Sequence, residues 1–156
     1  MSLSRAGKSF DDVTMAGGFG HLQKGHGIAF ADLDQDGDQD VFEEMGGAVK
    51  GDGYFNALWE NPGFGNNWIS IKLIGPQTNR SAIGARIRIE IEEGNKTRSI
   101  YRHVNSSGNF GANPLQKNIG LGQAHKIKLL EIEWPVSGTK QSFKEVQMNQ
   151  SISITE

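Results

Sequence analysis

The amino-acid sequence predicts a mostly β protein, and three observations support this prediction. Residues 68–73 and 86–92 each place an apolar side chain at every second position, which is typical of a strand with one buried face. Turn-forming residues separate such runs at intervals of about 8–12 residues, as in all-β domains. No stretch of about 11 residues or more carries an apolar stripe of helical period, so we expect little helix.

The composition is that of a folded protein. The 156 residues are 36% hydrophobic and 22% charged, and they include 21 glycines and no cysteine. These values exclude a mainly disordered chain, structural disulfides and thiolate metal sites. The net charge of −2 provides no overall positive electrostatic field that would attract nucleic acid. The sequence contains no run of about 18 apolar residues, the length needed to span a membrane. We therefore expect neither a nucleic-acid partner nor membrane insertion.

Charge divides the sequence into two regions. Residues 1–60 hold eleven acidic and four basic residues, whereas residues 61–156 hold seven acidic and twelve basic residues. The stretch 61–67 between them is rich in Asn, Gly and Pro, which form turns. We therefore predict one unit over residues 10–60 and a second over residues 66–156.

The second unit contains the strand patterns. Besides the two alternating runs, residues 97–104, 128–134, 142–146 and 151–155 read as strands. Their separators, such as Glu93-Gly94-Asn95-Lys96, have the composition of hairpins and loops. Six short strands of this kind predict an antiparallel β-sandwich or barrel.

The first unit contains one acidic loop with a regular spacing. Carboxylates occupy relative positions 1, 3, 5, 7 and 9, and Gly37 occupies position 6: Asp32, Asp34, Asp36, Asp38 and Asp40. Side chains at alternating positions converge on one centre only where the backbone coils, and glycine permits that turn. A hard divalent cation would relieve the repulsion between the carboxylates, with Ca²⁺ expected before Mg²⁺. The alternative interpretation is a solvated acidic turn.

The five aspartates are the predicted metal ligands. Asp38, at the seventh position, is expected to ligate through its backbone carbonyl, and the other four through their side chains. Glu43 at position 12 also satisfies the EF-hand pattern, but that motif needs a helix on each side. Here both flanks read as short strands, residues 27–31 and 40–42. We therefore predict a calcium turn between two β-strands.

Residues 26–42 resemble an FG-GAP repeat, also called VCBS, which is the calcium-loop blade of integrin-type β-propellers. The resemblance implies a calcium-loop β-hairpin or a single propeller-type blade joined to the antiparallel β-sandwich. One blade cannot bury both faces alone. We expect residues 10–60 to be either the last blade of a truncated propeller or a calcium-pinned hairpin docked on the sandwich.

The remainder resembles the ASPIC/UnbV domain of the cartilage acidic protein family and of bacterial proteins linked to enediyne biosynthesis. The residues that carry this resemblance are 67–69, 73–75, 78–87, 106–108, 120–122, and Trp134-Pro135 with Gly138. Ile119 stands where the family usually has Phe before Gly-Leu-Gly, and Val136 is inserted after Trp-Pro.

The acidic loop and the resemblance together predict a non-catalytic, calcium-binding module for protein or glycan interaction or scaffolding, located outside the cytoplasm: extracellular, at the cell surface or in the periplasm. One alternative is a C-terminal fragment of a calcium-dependent propeller enzyme, such as a polysaccharide lyase. Another is an accessory protein of enediyne-type natural-product biosynthesis. The expected partners are an unidentified protein or glycan and the rest of a propeller in a longer chain.

No catalytic or organic-cofactor site is predicted. The four histidines lack paired metal-ligand spacing, and the sequence contains no Gly-x-Ser-x-Gly nucleophile motif. Five arginines of the second unit either form a basic face for an anionic glycan or peptide or pair with strand glutamates: Arg80, Arg86, Arg88, Arg98 and Arg102. Trp68 and Trp134 lie in phase with apolar strand residues, so we expect both in the core.

Overall fold

The computed structural model describes residues 2–5, 8–22, 24–47, 49–106, 108 and 114–156. Within these ranges the chain forms twelve strands and no helix, which confirms the predicted mostly β fold. The strands are β1 Ser2–Arg5, β2 Ser9–Asp12, β3 Gly25–Ala31, β4 Asp40–Met45, β5 Ala57–Trp59, β6 Asn67–Ile74, β7 Arg86–Glu93, β8 Lys96–His103, β9 Lys117–Gly122, β10 Lys126–Glu133, β11 Lys140–Lys144 and β12 Ser151–Thr155. The described residues contain no helix long and apolar enough to cross a membrane.

Two sheets form a sandwich in the second half of the chain. One has four antiparallel strands in the order β11-β10-β7-β8, and the other has three in the order β12-β6-β9. Alternating apolar residues of both sheets form one buried core, which includes Ile69 and Ile71 from β6 and Ile87, Ile89 and Ile91 from β7. The strict alternation seen in the sequence therefore marks the inner faces of the two sheets.

The sandwich differs from the prediction in two details. Strand β12 runs parallel to β6, from Ser151 opposite Ser70 to Thr155 opposite Ile74. The pair is parallel because the chain leaves β11 in one sheet and crosses to the other before forming β12. Strand β9 was not predicted, since its two glycines weaken the strand pattern around Ile119 and Leu121.

The first half of the chain forms smaller sheets. Strands β3, β4 and β5 pair in that order as an antiparallel sheet, and β1 and β2 form a hairpin. The predicted strands on both sides of the acidic loop are confirmed as β3 and β4. In the described residues, no strand before residue 60 pairs with a strand after residue 66. Ser107 of the 106–108 motif lies outside the described residues.

Candidate metal centre and its surroundings

The acidic loop joins two paired strands and bends back on itself. Strands β3 and β4 remain in register up to the pair Ala31 and Asp40, so the loop spans residues 32–39. Gln35 and Gly37 have positive φ values of 64° and 101°. Left-handed backbone at these two positions lets the chain coil within a short loop, as the glycine at position 6 predicts.

Three of the predicted ligands are brought together. Asp32, Asp34 and Asp36 each offer a carboxylate oxygen, and these oxygens lie within 4.8 Å of one another. Calcium binds oxygen at about 2.3–2.6 Å, so oxygens on opposite sides of one ion are separated by roughly 4.6–5.2 Å. The three carboxylates therefore have a spacing that a single calcium ion can bridge.

Hydrogen bonds within the loop orient these carboxylates. The Asp36 amide donates to Asp34 Oδ1 at 3.3 Å, and the Gly37 amide donates to Asp32 Oδ2 at 3.2 Å. The other oxygen of Asp32, Oδ1, is buried and has no hydrogen-bond partner among the described residues. A buried carboxylate oxygen without a donor is costly, and a hard cation is the kind of partner that it accepts.

The electrostatics of the loop also fit a cation. Burial raises the pKa of Asp32 above its ordinary value, and the neighbouring Asp36 and Asp34 carboxylates raise it further. Burial likewise raises the pKa of Asp38 above its ordinary value. Repulsion from the Asp36 carboxylate is the second cause of this increase. A divalent ion would favour the charged form of both groups and so oppose these shifts.

Asp38 and Asp40 have different surroundings from the group of three. Asp38 Oδ1 is buried without a hydrogen-bond partner in the described ranges, and the Asp38 amide donates to Asp36 Oδ1 at 3.0 Å. Asp40 is only 3% exposed, and its carboxylate accepts from the Leu33 amide at 3.0 Å and from the Asn61 amide at 2.9 Å. Asp40 thus fastens the loop to the turn-rich segment 61–67. Metal ligation by these two residues stays a prediction.

Sequence reasoning missed the contact between the loop and the sandwich. A Cβ atom placed on Gly37 would lie 1.9 Å from the Trp68 ring, so the loop backbone packs directly on the indole. Trp68 is half-buried beneath the loop, and the prediction of a core position for it is wrong in this respect, whereas Trp134 is fully buried as predicted. In the sequence, only Gly37 indicates this contact. The turn of the loop already explains a glycine at that position, so the contact could not be inferred from it.

Two arginines of the proposed basic face, and one histidine, lie beside glutamates. Arg88 pairs with Glu90 at 2.9 Å and with Glu131, and Arg98 pairs with Glu93 at 2.9 Å. Cross-strand ion pairing therefore explains these two arginines of the proposed basic face. His21 Nε2 lies 3.4 Å from Glu43 Oε2, which places Glu43 beside that histidine and outside the group of three loop carboxylates.

Comparison with known proteins concerns the second half of the chain. The family described as ASPIC and UnbV matches residues 75–156. A search of curated proteins found no match. The matched segment begins at the end of β6 and includes strands β7 to β12, which supply most of the sandwich. The chain therefore belongs to the ASPIC/UnbV family.

Proposed function

We propose that this chain is a non-catalytic, calcium-binding module for protein or glycan interaction, in which calcium structures the loop 32–40. Membership of the ASPIC/UnbV family suggests a non-catalytic or propeller-associated module. The observation that carries the calcium assignment is the spacing of Asp32, Asp34 and Asp36, whose oxygens lie within 4.8 Å of one another. Asp32 Oδ1, which is buried without a hydrogen-bond partner in the described part of the chain, supports it independently.

Asp32, Asp34 and Asp36 would hold the ion, with Asp38 as a further oxygen donor. Calcium would supply positive charge without redox chemistry and would accept several oxygens in a flexible geometry. The chain's own residues then perform the structural work. Asp40 connects the loop to Asn61 by a hydrogen bond, and the loop backbone at Gly37 packs on Trp68. Ordering of the loop would therefore also order the junction with the sandwich.

Two features of the first region support the proposal that it is related to a propeller blade of the FG-GAP/VCBS type. Its antiparallel sheet carries the acidic loop between β3 and β4, and it exposes apolar side chains such as Phe30, Phe42 and Leu58. Blades in propellers bury such faces against neighbouring blades. The contact with Trp68 supports the docked-hairpin arrangement within this chain. We place the protein outside the cytoplasm, where free calcium is high enough to fill a single weak site.

A thermal melt after chelation tests the calcium assignment. At about a hundredfold excess over the dissociation constant, one native-state site adds about 2.7 kcal/mol, which raises the melting temperature by several degrees. We expect this shift with calcium at about 1 mM, a smaller shift with magnesium at the same concentration, and no calcium shift in Asp34→Ala or Asp36→Ala.

Glu44→Ala is the matched control, because Glu44 is an exposed carboxylate on the same hairpin outside the loop. Its calcium shift should equal that of the unchanged protein. A direct calorimetric titration of the chelated protein removes any dependence on how the first region melts. A blank titration together with an unchanged melting temperature would overturn the proposal.

A further inference from the structure

A polar cleft lies at the junction of the two regions. It has a volume of about 420 Å³ and is bounded by the acidic loop, the turn-rich segment 61–67 and strands β6 and β9. Ligand sites occur preferentially at such junctions between units. The cleft also lies beside the loop that holds the three grouped carboxylates, since Asp36 and Asp38 line it.

The floor of the cleft is aromatic. Trp68 on β6 lies opposite Gly120 on β9, and residues in such register project from the same face of the sheet. Gly120 has no side chain, and an added Cβ there would meet nothing within 4 Å, so the cleft is open at this position. Phe64 lies at the same cleft and is 78% exposed. The cleft therefore offers two rings to a ligand.

Side-chain amides line the walls and are held in place by the protein. Asn66 Oδ1 accepts from Gln123 Nε2 at 2.8 Å, and Asn118 Oδ1 accepts from the Ser70 hydroxyl. With their oxygens engaged, the Nδ2 groups of Asn66 and Asn118 have no acceptor among the described residues. Arg102 also lines the cleft, and its Nη1 is bound to the Tyr101 carbonyl at 2.9 Å, which leaves further guanidinium donors.

This chemistry selects among ligand classes. Amide donors, carboxylate acceptors and aromatic faces together match the hydroxyl groups and C–H faces of a sugar ring. A nucleic acid would need a basic surface, whereas the cleft has Arg102 against Asp36 and Asp38. An apolar peptide would need an apolar groove, whereas amides and charged groups form most of these walls.

We propose that this cleft binds a neutral carbohydrate, with Trp68 and Phe64 as stacking surfaces and the amides of Asn66 and Asn118 as hydroxyl donors. The inference deepens the proposed function and rests on it, because calcium would order the loop that carries Asp36 and Asp38. The site requires the loop and the sandwich together, so neither region alone forms it.

Nuclear magnetic resonance titration tests the inference. The probes are maltohexaose, cellohexaose, xylohexaose and mannohexaose, each added at millimolar concentration to the ¹⁵N-labelled full chain in calcium. At least one should shift the indole N–H of Trp68 and the side-chain amides of Asn66 and Asn118. Phe64→Ala should weaken that binding tenfold or more. Phe55→Ala, which removes another exposed ring that lies outside the cleft, should leave it unchanged.

The calcium titration described above separates the two proposals. Calcium binding without any sugar-induced shift would overturn the carbohydrate site and leave the calcium assignment standing. Sugar-induced shifts in a protein that binds no calcium would keep the cleft and overturn the calcium assignment. Shifts of equal size in Phe64→Ala and in the unchanged protein would overturn the cleft as the site of binding.

Discussion

The two regions of this protein bury apolar side chains to very different extents. Every hydrophobic residue of the buried core lies between Ile69 and Ile154, in the sandwich. By contrast, most of the exposed large hydrophobic residues lie before residue 67, including Phe10, Leu22 and Phe55. Both regions are built mainly from antiparallel strand pairs, so the type of strand pairing does not explain this difference in burial.

This contrast shows that the two regions are stabilised by different means. The sandwich buries its apolar side chains between two sheets. Burial of apolar surface is the main favourable contribution to folding. In the sheet β3-β4-β5, Phe19 and His21 pack on Trp59, whereas other large apolar side chains remain exposed: Ile28, Phe30, Phe42 and Leu58. This sheet relies on the ring contacts of Trp59 and on its loop, where Asp40 accepts a hydrogen bond from the Asn61 amide and Gly37 packs on Trp68. Cation binding at that loop would therefore matter more for the first region than for the second.

The largest expected effect is a loss of stability on truncation of a buried isoleucine in the sandwich, measured against truncation of an isoleucine in the first region. Ile89 on β7 is completely buried, whereas Ile28 on β3 is 39% exposed. Truncation of a buried isoleucine leaves a cavity and costs about 2–5 kcal/mol. We expect Ile89→Ala to lower the free energy of unfolding by that amount and Ile28→Ala by less than about 1 kcal/mol.

Equilibrium unfolding in urea, followed by circular dichroism, measures both variants against the unchanged protein. The slope of the transition should stay constant if the comparison concerns stability alone. Equal losses in the two variants would contradict the view that only the sandwich has a closed core.

The next effect concerns the contact between the regions. Gly37→Ala places a methyl group 1.9 Å from the Trp68 ring at a backbone φ of 101°, so both steric overlap and backbone strain oppose it. Backbone strain alone costs roughly 1–2 kcal/mol for a residue with a side chain. We expect the loop to move off the indole and the indole N–H resonance of Trp68 to shift.

Gly53→Ala is the matched control, because an added Cβ there meets nothing within 4 Å and its φ is not in the left-handed region. Its stability and its Trp68 resonance should match those of the unchanged protein. If Gly37→Ala also left the stability and the Trp68 resonance unchanged, the loop would not pack on Trp68 in solution.

Much of the fold follows from local sequence patterns. Alternation in β6 and β7 is strong because one face of each strand packs on the core, so side-chain period and burial coincide. Strand β9 was missed because Gly120 and Gly122 replace two of the outward residues that normally mark a strand. The parallel pairing of β12 with β6 depends on where the chain crosses between sheets, and no local pattern encodes that.

The candidate site was predictable only in part. Regular spacing identified the loop, because a coiled backbone brings alternate side chains to one centre, and Asp32, Asp34 and Asp36 do lie together. The spacing could not reveal that Asp40 accepts hydrogen bonds from Leu33 and Asn61. The packing of Gly37 on Trp68 joins residues that are distant in sequence, and such contacts are set by tertiary structure.

The smallest expected effect concerns a surface pair on the sandwich. Arg98 Nε donates to Glu93 Oε2 at 2.9 Å, and its Nη2 donates to the Leu121 carbonyl at 3.1 Å, which joins the four-stranded sheet to β9. Two hydrogen bonds lower the pKa of Glu93 below its ordinary value. The larger effect comes from Arg98 and the smaller from the Gln123 amide. Exposed pairs of this kind contribute little to stability, unlike the core beneath them.

The sign of the pH dependence follows from the lowered pKa. A carboxyl whose pKa is lower in the folded state stabilises the protein above its unfolded pKa, and this contribution is lost as the pH falls through the folded value. Arg98→Ala should therefore raise the pKa of Glu93 toward its ordinary value and reduce the loss of stability in acid. Titration of the Glu93 carboxyl by nuclear magnetic resonance measures this directly. Arg80→Ala, an exposed arginine away from Glu93, is the control, and an unchanged Glu93 pKa in Arg98→Ala would show that the pair does not form in solution.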